Sequence, residues 1–421
     1  MARRFFGTDG VRGVVGDSLT SDLVERLGRA ATIWAGGGRV LVGRDTRGSG
    51  PELEDALARG IASAGGAAVL AGVLPTPAVA LFALDLGAVV SASHNPPEYN
   101  GVKLFDGDGA KLTDDVEEEI EKLLDAGGPG AGTIERTDEI ADDYLEHVLS
   151  RFGTDLGGLR IAVDCANGAY SAIAPEAFRR LGADVTVVAA EPDGTNINAG
   201  CGATDLALLS RTVAEDRLEL GVAFDGDGDR MLAVDADGTS VDGDQILAIL
   251  ALHLGVDVVA VTQMTNLGFH KLMAERGIRV VTTDVGDRYV LEALQREGGK
   301  LGGEQSGHLI WLDGHVTGDG LVAALLLCAA LDGRKLAEAV ALMRQYPQML
   351  ENVPVRTKTL PEAVTLEVER LNRELAHTGR VLVRPSGTEP VIRVLAEAEN
   401  EEESERLCAR ISALVRRELG R

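Results

Sequence analysis

A chain of 421 residues is long enough for several domains. It carries 66 acidic against 41 basic residues, a net charge of −25, which argues against nucleic acid or an anionic membrane as partner because both demand a basic surface. Hydrophobic residues make up 45% and aromatics only 4%, so large cores have to be built from Ala, Val and Leu.

In chain order, residues 40–45 form a short apolar run ending in polar residues. Ser49-Gly-Pro51 then opens an Ala-rich helix to about residue 64, with Pro where a first turn tolerates it. Residues 67–70 read as a strand, and Thr76-Pro-Ala opens another helix. Leu86-Gly-Ala-Val-Val90 reads as a strand that delivers Ser91-Ala-Ser-His-Asn-Pro96 to its end, where α/β folds keep their chemistry. Pro96-Pro97 and Gly101 predict an irregular loop there. It sets a hydroxyl, Ser93, beside an imidazole, His94. Lys103 is a candidate phosphate contact or proton-transfer aid, although a lysine in such a context is ordinarily a surface residue. Residues 113–124 read as an acidic helix burying Ile120, Leu123 and Leu124, and residues 127–132 as a Gly-rich surface loop.

A second cycle comprises a strand at 159–164, a helix at 174–181, a strand at 183–188 and the run 220–224, which leads into Asp225-Gly-Asp-Gly-Asp-Arg230. A third comprises strands at 256–261 and 278–282 and helices at 267–276 and 288–297, ending near Gly302-Gly303. Strands alternating with helices imply mostly parallel sheets. From about residue 350 the pattern becomes α+β: strands at 353–357, 380–383 and 391–396, helices at 361–374 and 402–419. Four domains are therefore expected: α/β domains at 1–153, 154–248 and 249–346, and an α+β domain at 347–421.

Asp225, Asp227 and Asp229 alternate with glycines, so on an extended segment three carboxylates converge on one hard cation. The calcium loop of an EF-hand is excluded, because Arg230 stands where it needs Gly and Ala236 where it needs Glu. Mg2+ fits better, with Arg230 beside it to bind the same phosphate. Glu304-Gln-Ser-Gly-His308 has the mix of hydrogen-bonding groups that reads sugar hydroxyls, in Glu304, Ser306 and His308; a polar surface turn is the plainer reading. Arg384-Pro-Ser-Gly-Thr388 offers a guanidinium, the hydroxyls of Ser386 and Thr388, and N–H groups freed by Gly387, which reads as a phosphate nest, with a β-turn in a hairpin as the alternative. Neither GxxxxGK[ST] nor GxGxxG occurs. His147, His253, His270 and His377 fall in helix-like segments and read as structural; His315 is ambiguous. Cys165, Cys201, Cys328 and Cys408 are widely spaced, consistent with reduced thiols and a cytoplasmic protein. The apolar start is cut short by Gly7-Thr-Asp9, and the longest apolar run, 321–331, is too short for a bilayer.

The four clusters, in this order, resemble the α-D-phosphohexomutase superfamily over essentially the whole chain. Phe6-Gly-Thr-Asp-Gly-Val-Arg-Gly13, Asn196-Ile-Asn198, Cys201-Gly202, Val285-Gly-Asp-Arg-Tyr289 and residues 303–308 are similar to its bacterial phosphoglucosamine mutase family. One departure is Asp284, which stands where some relatives carry a basic residue. The resemblance implies three similar α/β domains with mixed, mostly parallel sheets plus a C-terminal α+β domain around a central cleft. It implies an isomerase, an intramolecular phosphotransferase that interconverts glucosamine 6-phosphate and glucosamine 1-phosphate. Ser93 would be a phosphoserine that also contacts the metal, with His94, Lys103 and Arg230 as catalytic residues. Asp225, Asp227 and Asp229 would hold Mg2+. Glu304, Ser306 and His308 would read the sugar, and Arg384, Ser386, Gly387 and Thr388 would hold the non-reacting phosphate. Glucosamine 1,6-bisphosphate or glucose 1,6-bisphosphate would be the activator. The expected partner is a small-molecule sugar phosphate, with no nucleic acid and no membrane, and a homodimer is compatible with the chain. A mutase for mannose or glucose phosphates, or a metal-dependent sugar-phosphate phosphatase, is the alternative.

Overall fold

The computed structural model describes residues 4–7, 9–128, 130–386 and 390–420. They fall into two compact units: Met1–Gln263 with Ile278–Ala341, and Met264–Gly277 with Leu342–Arg421.

The first unit holds three sheets built to one plan. In the first, the order runs Val11–Val14, Tyr99–Asp106, Leu86–Val90, Arg39–Arg44, Ala67–Val73, Thr133–Arg136. In the second it runs Ser240–Val241, Met231–Asp235, Leu220–Phe224, Arg160–Asp164, Asp184–Val188. In the third it runs Leu309–Trp311, Leu301–Gly303, Val258–Thr262, Arg279–Thr283. Each has two parallel strands, a third strand parallel to the first of them, and a fourth that returns antiparallel to the third. The third strands Leu86–Val90, Leu220–Phe224 and Leu301–Gly303 are buried throughout, as continuous apolar or glycine runs should be in a covered sheet. The return connections are residues 91–98, 225–230 and 304–308, so one topological position generates three of the four polar clusters.

The helices follow local signals. Thr20, Thr113 and Asn266 accept N-cap hydrogen bonds, and Asp242 with Gln245 forms a capping box. The apolar run at 321–331 is the helix Gly320–Leu331, buried almost all round and capped by Asp319, which accepts from Leu321 N and Val322 N. Among the described residues no helix is long and apolar enough to cross a membrane. The four cysteines are buried and unpaired with one another.

The second unit is α+β. Strands Gln348–Pro354, Val391–Glu397 and Arg380–Pro385 form an antiparallel sheet, covered by helices Glu362–Leu375 and Glu401–Leu419 around Val353, Val364, Ile392, Val394, Leu407 and Ile411. Helix Leu267–Glu275 belongs to this unit: Asn266 donates to the Tyr346 carbonyl at 2.9 Å and Glu397 accepts from Leu267 N at 3.0 Å.

Two sequence expectations change. Residues 99–106 form a regular strand that includes Gly101; a Cβ there would lie 2.7 Å from the Ser91 and Val11 carbonyls, so this glycine serves close strand approach rather than a loop. His377 lies in the turn after helix Glu362–Leu375, whereas His147, His253 and His270 are helical.

Candidate active site

Ser93 follows the buried strand Leu86–Val90 and is itself only 1% exposed. Its φ is +51°, a left-handed value that side chains with a Cβ avoid. Ser93 Oγ donates to Asp225 Oδ2 at 2.5 Å and lies 3.2 Å from His94 Nδ1. Burial, then the cations Arg230 and Arg12, depress the His94 pKa to about 4, so its imidazole is neutral at pH 7. Ser93 N donates to Ser91 Oγ at 2.9 Å, and Ser91 Oγ donates to Asp45 Oδ2 at 2.6 Å.

Asp225, Asp227 and Asp229 converge, each offering an oxygen within 4.8 Å of the others, and all three are buried. They do so through a turn rather than the extended segment the alternation suggested. Gly228, at φ +80°, donates its N–H to Asp225 O and Oδ1, both at 3.1 Å, and Arg230 N donates to the same Oδ1 at 3.2 Å. Neighbouring backbone fixes the turn from outside: Thr76 N donates to Asp227 O, Ala169 N to Gly226 O and Gly320 N to Gly228 O. Burial and then Asp229 and Asp227 push the Asp225 carboxyl up to about 8.

Lys103 is not on the surface. It projects from Tyr99–Asp106, is 1% exposed, and donates to Asp227 Oδ2 at 2.7 Å and Asp229 Oδ2 at 2.9 Å. Burial opposes its charge, but Asp227, Asp229 and Asp9 outweigh it and hold the ammonium protonated. The ion pairs continue. Asp9 meets Lys103 at 3.2 Å, Arg12 and Lys111; Lys111 meets Asp287; Asp287 Oδ2 lies 3.4 Å from His308 Nε2; and His308 Nδ1 lies 3.6 Å from Asp229 Oδ1. Alternating charges thus close a ring joining the first sheet to the acidic turn and to the 304–308 loop. Asp9, Arg12, Lys111 and Asp287 were not singled out from the sequence, although the first two lie in the quoted motif at 6–13 and Asp287 in that at 285–289.

The 304–308 loop is tied to the acidic hairpin by Met231 N, which donates to Gly307 O at 2.9 Å. Glu304 accepts from Gly286 N at 3.2 Å; its pKa is raised by burial and by Asp287. Ser306 is exposed and His308 buried. Arg230, with 24% of its side chain exposed, lies 3.9 Å from Asp229; burial is outweighed by Asp229, Asp225 and Glu304, so it stays charged. Asp284 accepts from Gln263 Nε2 at 3.4 Å. His315, ambiguous in sequence, is buried with Nε2 2.9 Å from Asp319 Oδ2.

In the second unit, Arg384 stands directly opposite Arg393 across two strands. Ser386 is buried, and its carbonyl accepts from Lys358 Nζ at 2.9 Å. Gly387 and Thr388 lie outside the described residues. A cavity of about 410 Å3 in the first unit, lined by Leu156, Leu159, Leu220 and Cys328, shares no lining residue with any of these clusters.

Four family models match the chain end to end: phosphoglucomutase/phosphomannomutase domain I at residues 3–129, domain II at 142–238, domain III at 242–346 and the C-terminal domain at 333–414. The chain belongs to this family. It is 47% identical to a phosphoglucosamine mutase of Pelotomaculum thermopropionicum and 45% identical to one of Clostridium acetobutylicum, in both cases over 98% of each chain. Among solved structures it is similar to a phosphoglucomutase/phosphomannomutase family protein of Burkholderia thailandensis, with a TM-score of 0.83 and 25% identity over 97% of each chain. The family's plan of three α/β domains followed by a smaller C-terminal one is the plan of these sheets.

Proposed function

We propose that this chain interconverts glucosamine 6-phosphate and glucosamine 1-phosphate through a phosphoserine at Ser93 and a bound glucosamine 1,6-bisphosphate, as a cytoplasmic step toward UDP-N-acetylglucosamine and cell-wall synthesis. The observation that carries the reading is Ser93 Oγ set against Asp225 of a buried carboxylate triad, in a chain whose near-full-length relatives bear the phosphoglucosamine mutase name.

The triad fits Mg2+. Asp227 Oδ1 is buried with no hydrogen-bond partner among the described residues, the state of an oxygen kept for a cation, while Asp229 Oδ1 faces only the more distant His308 and Arg230. Asp225, Asp227 and Asp229 would hold it together with an oxygen on Ser93, and when bound it would neutralise charge on the transferring phosphoryl group. The chain's own groups do the rest. The P–O bond to Ser93 Oγ breaks as a bond to a sugar oxygen forms, the sugar hydroxyl loses its proton, and Oγ regains one. Neutral His94 can carry a proton at Oγ. Lys103 and Arg230, held charged, offset phosphoryl charge. Glu304, Ser306 and His308 would orient the sugar, Glu304 accepting from a hydroxyl or the 2-ammonium. After the sugar turns, its other phosphate passes to Ser93. Arg384 and Ser386, with Gly387 and Thr388, would grip whichever phosphate is not reacting. Glucosamine 1,6-bisphosphate or glucose 1,6-bisphosphate would re-phosphorylate an enzyme that has lost its phosphate.

Intact mass and peptide mapping should place one phosphoryl group on Ser93. Ser93→Ala should abolish turnover, and kcat/KM should be greater for glucosamine 6-phosphate than for glucose or mannose 6-phosphate. Equal or reversed efficiencies assign the chain to the glucose or mannose mutases of the same family, and Ser93→Ala with full activity removes the phosphoserine.

A further inference from the structure

The turn after strand Arg39–Arg44 has no part in the chemistry above, yet its side chains converge on Ser93. Arg47, at its centre, is fully buried. A guanidinium has five N–H donors in a planar fork, and each finds an acceptor. Nε donates to Asp45 Oδ2 at 2.9 Å. Nη1 donates to the carbonyls of Pro96 at 2.5 Å and Tyr99 at 3.0 Å, and Nη2 to those of Ser93 and Asn95, both at 2.8 Å. One rigid group therefore holds three carbonyls of the 91–98 loop and that of Tyr99, where the next strand begins. Asp45 reaches the same loop a second way, because Ser91 Oγ donates to its Oδ2 while accepting from Ser93 N.

The same turn is also registered to the acidic loop's surroundings. Thr46 Oγ1 donates to Asn167 O at 2.5 Å and Gly48 N to Gly194 O at 2.8 Å. Two residues after Asn167, Ala169 N donates to Gly226 O at 2.9 Å, and a Cβ on Gly168 would lie 2.4 Å from that oxygen. Asn198 Nδ2 adds a second donor to Ser93 O at 2.9 Å. Ser93 needs such restraint, since serine does not rest at φ +51° unless its surroundings over-determine it.

We propose that Arg47, with Asp45 and Ser91, is a positioning residue for phosphoryl transfer: it holds Ser93 in the left-handed conformation that sets Oγ against Asp225. This rests on Ser93 being the phosphoryl carrier. Loss of the clamp slows transfer and leaves the sugar phosphate's binding groups intact.

The test uses Arg47→Lys and Ser91→Ala in the full chain. Lysine keeps a charge beside Asp45 but has three donors for five acceptors, and the serine variant deletes one relay hydroxyl. Each protein is phosphorylated with glucose 1,6-bisphosphate, mapped by mass spectrometry and melted. It is then mixed with glucosamine 1-phosphate in a single-turnover assay that reads loss of the phosphoryl group from Ser93. A misplacement of about 1 Å can cost about 100-fold. We expect about 10- to 100-fold slower transfer in Arg47→Lys, about 3- to 10-fold in Ser91→Ala, and a KM within about twofold of the parent in both. Parental transfer rates per phosphorylated Ser93, with only the melting temperature lowered, overturn the proposal and leave Arg47 a packing residue. If Arg47→Lys does not fold, Ser91→Ala decides on the same readouts. A parent enzyme labelled elsewhere than Ser93 overturns the phosphoserine reading and this proposal with it; a parent labelled on Ser93 beside unimpaired variants overturns this proposal alone.

Discussion

The Ser93 loop and the Asp225 loop are return connections at the same position of two like-ordered sheets, and they reach their shapes differently. At Ser93 a residue with a side chain occupies the left-handed region, and side chains hold it there: Ser91 from the same loop, Arg47 and Asn198 from elsewhere. At the acidic turn the left-handed residue is Gly228, backbone N–H groups fasten its main chain, the side chains of Thr76 and Lys103 reach only its carboxylates, and Asp227 Oδ1 keeps no hydrogen-bond partner among the described residues. The difference follows from what each loop offers. The first must aim one hydroxyl, so the restraint has to bear on the residue that carries it. On the proposed reading the second must leave carboxylates open to a cation, so the left-handed position falls to a glycine between them, which adopts it without strain.

Substituting Asp227, one of the three proposed Mg2+ ligands, should give the largest effect. Asp227 Oδ2 already serves Thr76 and Lys103, at 2.6 and 2.7 Å, and Oδ1 is the oxygen left over. Asp227→Asn should lower Mg2+ affinity and turnover by about 100-fold or more, since even residues behind a ligand cost about 10- to 100-fold. The fold should survive, because Lys103 retains Asp229 and Asp9. Calorimetric Mg2+ titration beside kcat checks this, and parental affinity would show that the triad is a structural ion-pair cluster.

Gly228→Ala should separate the two loops in stability. A Cβ there would lie 2.4 Å from Tyr170 Cε2, and the ring cannot step aside because Tyr170 OH is bound to Tyr144 OH and Asp319. Overpacking costs about 1–3 kcal/mol, and a left-handed residue with a Cβ adds about 1–2 kcal/mol. Ser93→Ala already has its Cβ accommodated and should melt close to the parent. Equal destabilisation in the two would mean that the loops are held alike.

Much of this plan was legible in the sequence. Apolar runs at 86–90 and 220–224 mark the third strand in the first two sheets, and the clusters themselves are chemically distinctive; Leu301–Gly303 does not read as a strand, because two of its three residues are glycine. Other features were hidden for physical reasons. Lys103 looks like a surface lysine because its partners Asp227 and Asp229 are 124 and 126 residues away. Arg47 escapes notice because its partners are mostly carbonyls, which leave no mark in a sequence. The strand Tyr99–Asp106 is masked by Asn100-Gly101, which reads as a turn when the close approach to Ser91 and Val11 is unknown.

The return connection of the second unit tests how far the comparison extends. Arg384 stands directly opposite Arg393 across two strands, and its proposed task is to grip the phosphate that is not reacting. A hydrogen bond to a charged group is worth about 1.5–3 kcal/mol. Arg384→Ala should therefore lower kcat/KM by about 10- to 150-fold. Ser93 phosphorylation and Mg2+ affinity should be kept, because neither uses Arg384. Kinetics within about twofold of the parent would make Arg384 an ordinary strand residue.

The last prediction concerns two carboxylates at the ends of matching strands in the first two sheets. Asp45 follows Arg39–Arg44 and has the Arg47 guanidinium; Asp164 ends Arg160–Asp164 and has only the backbone N–H groups of Ala166, at 2.9 Å, and Gly202, at 2.8 Å. Burial raises both carboxyls: Asp45 against the Arg47 guanidinium, and Asp164, from 3.8 up to about 6, against its two N–H groups. A carboxyl whose pKa is raised on folding binds its proton more tightly in the folded state. Its favourable contribution is complete below about pH 4 and is lost as the pH rises through 6, a change of about 3 kcal/mol. Asp164→Asn cannot ionise, but its amide must turn an NH2 toward one of the two N–H donors, at about 1–3 kcal/mol. The variant should thus be the less stable protein near pH 4 and should draw level with the parent by pH 7. Urea unfolding of both proteins at several pH values reads the difference directly. A gap that stays constant from pH 4 to 7 would mean that Asp164 titrates normally, and that its two N–H groups offset the whole cost of burying the carboxylate.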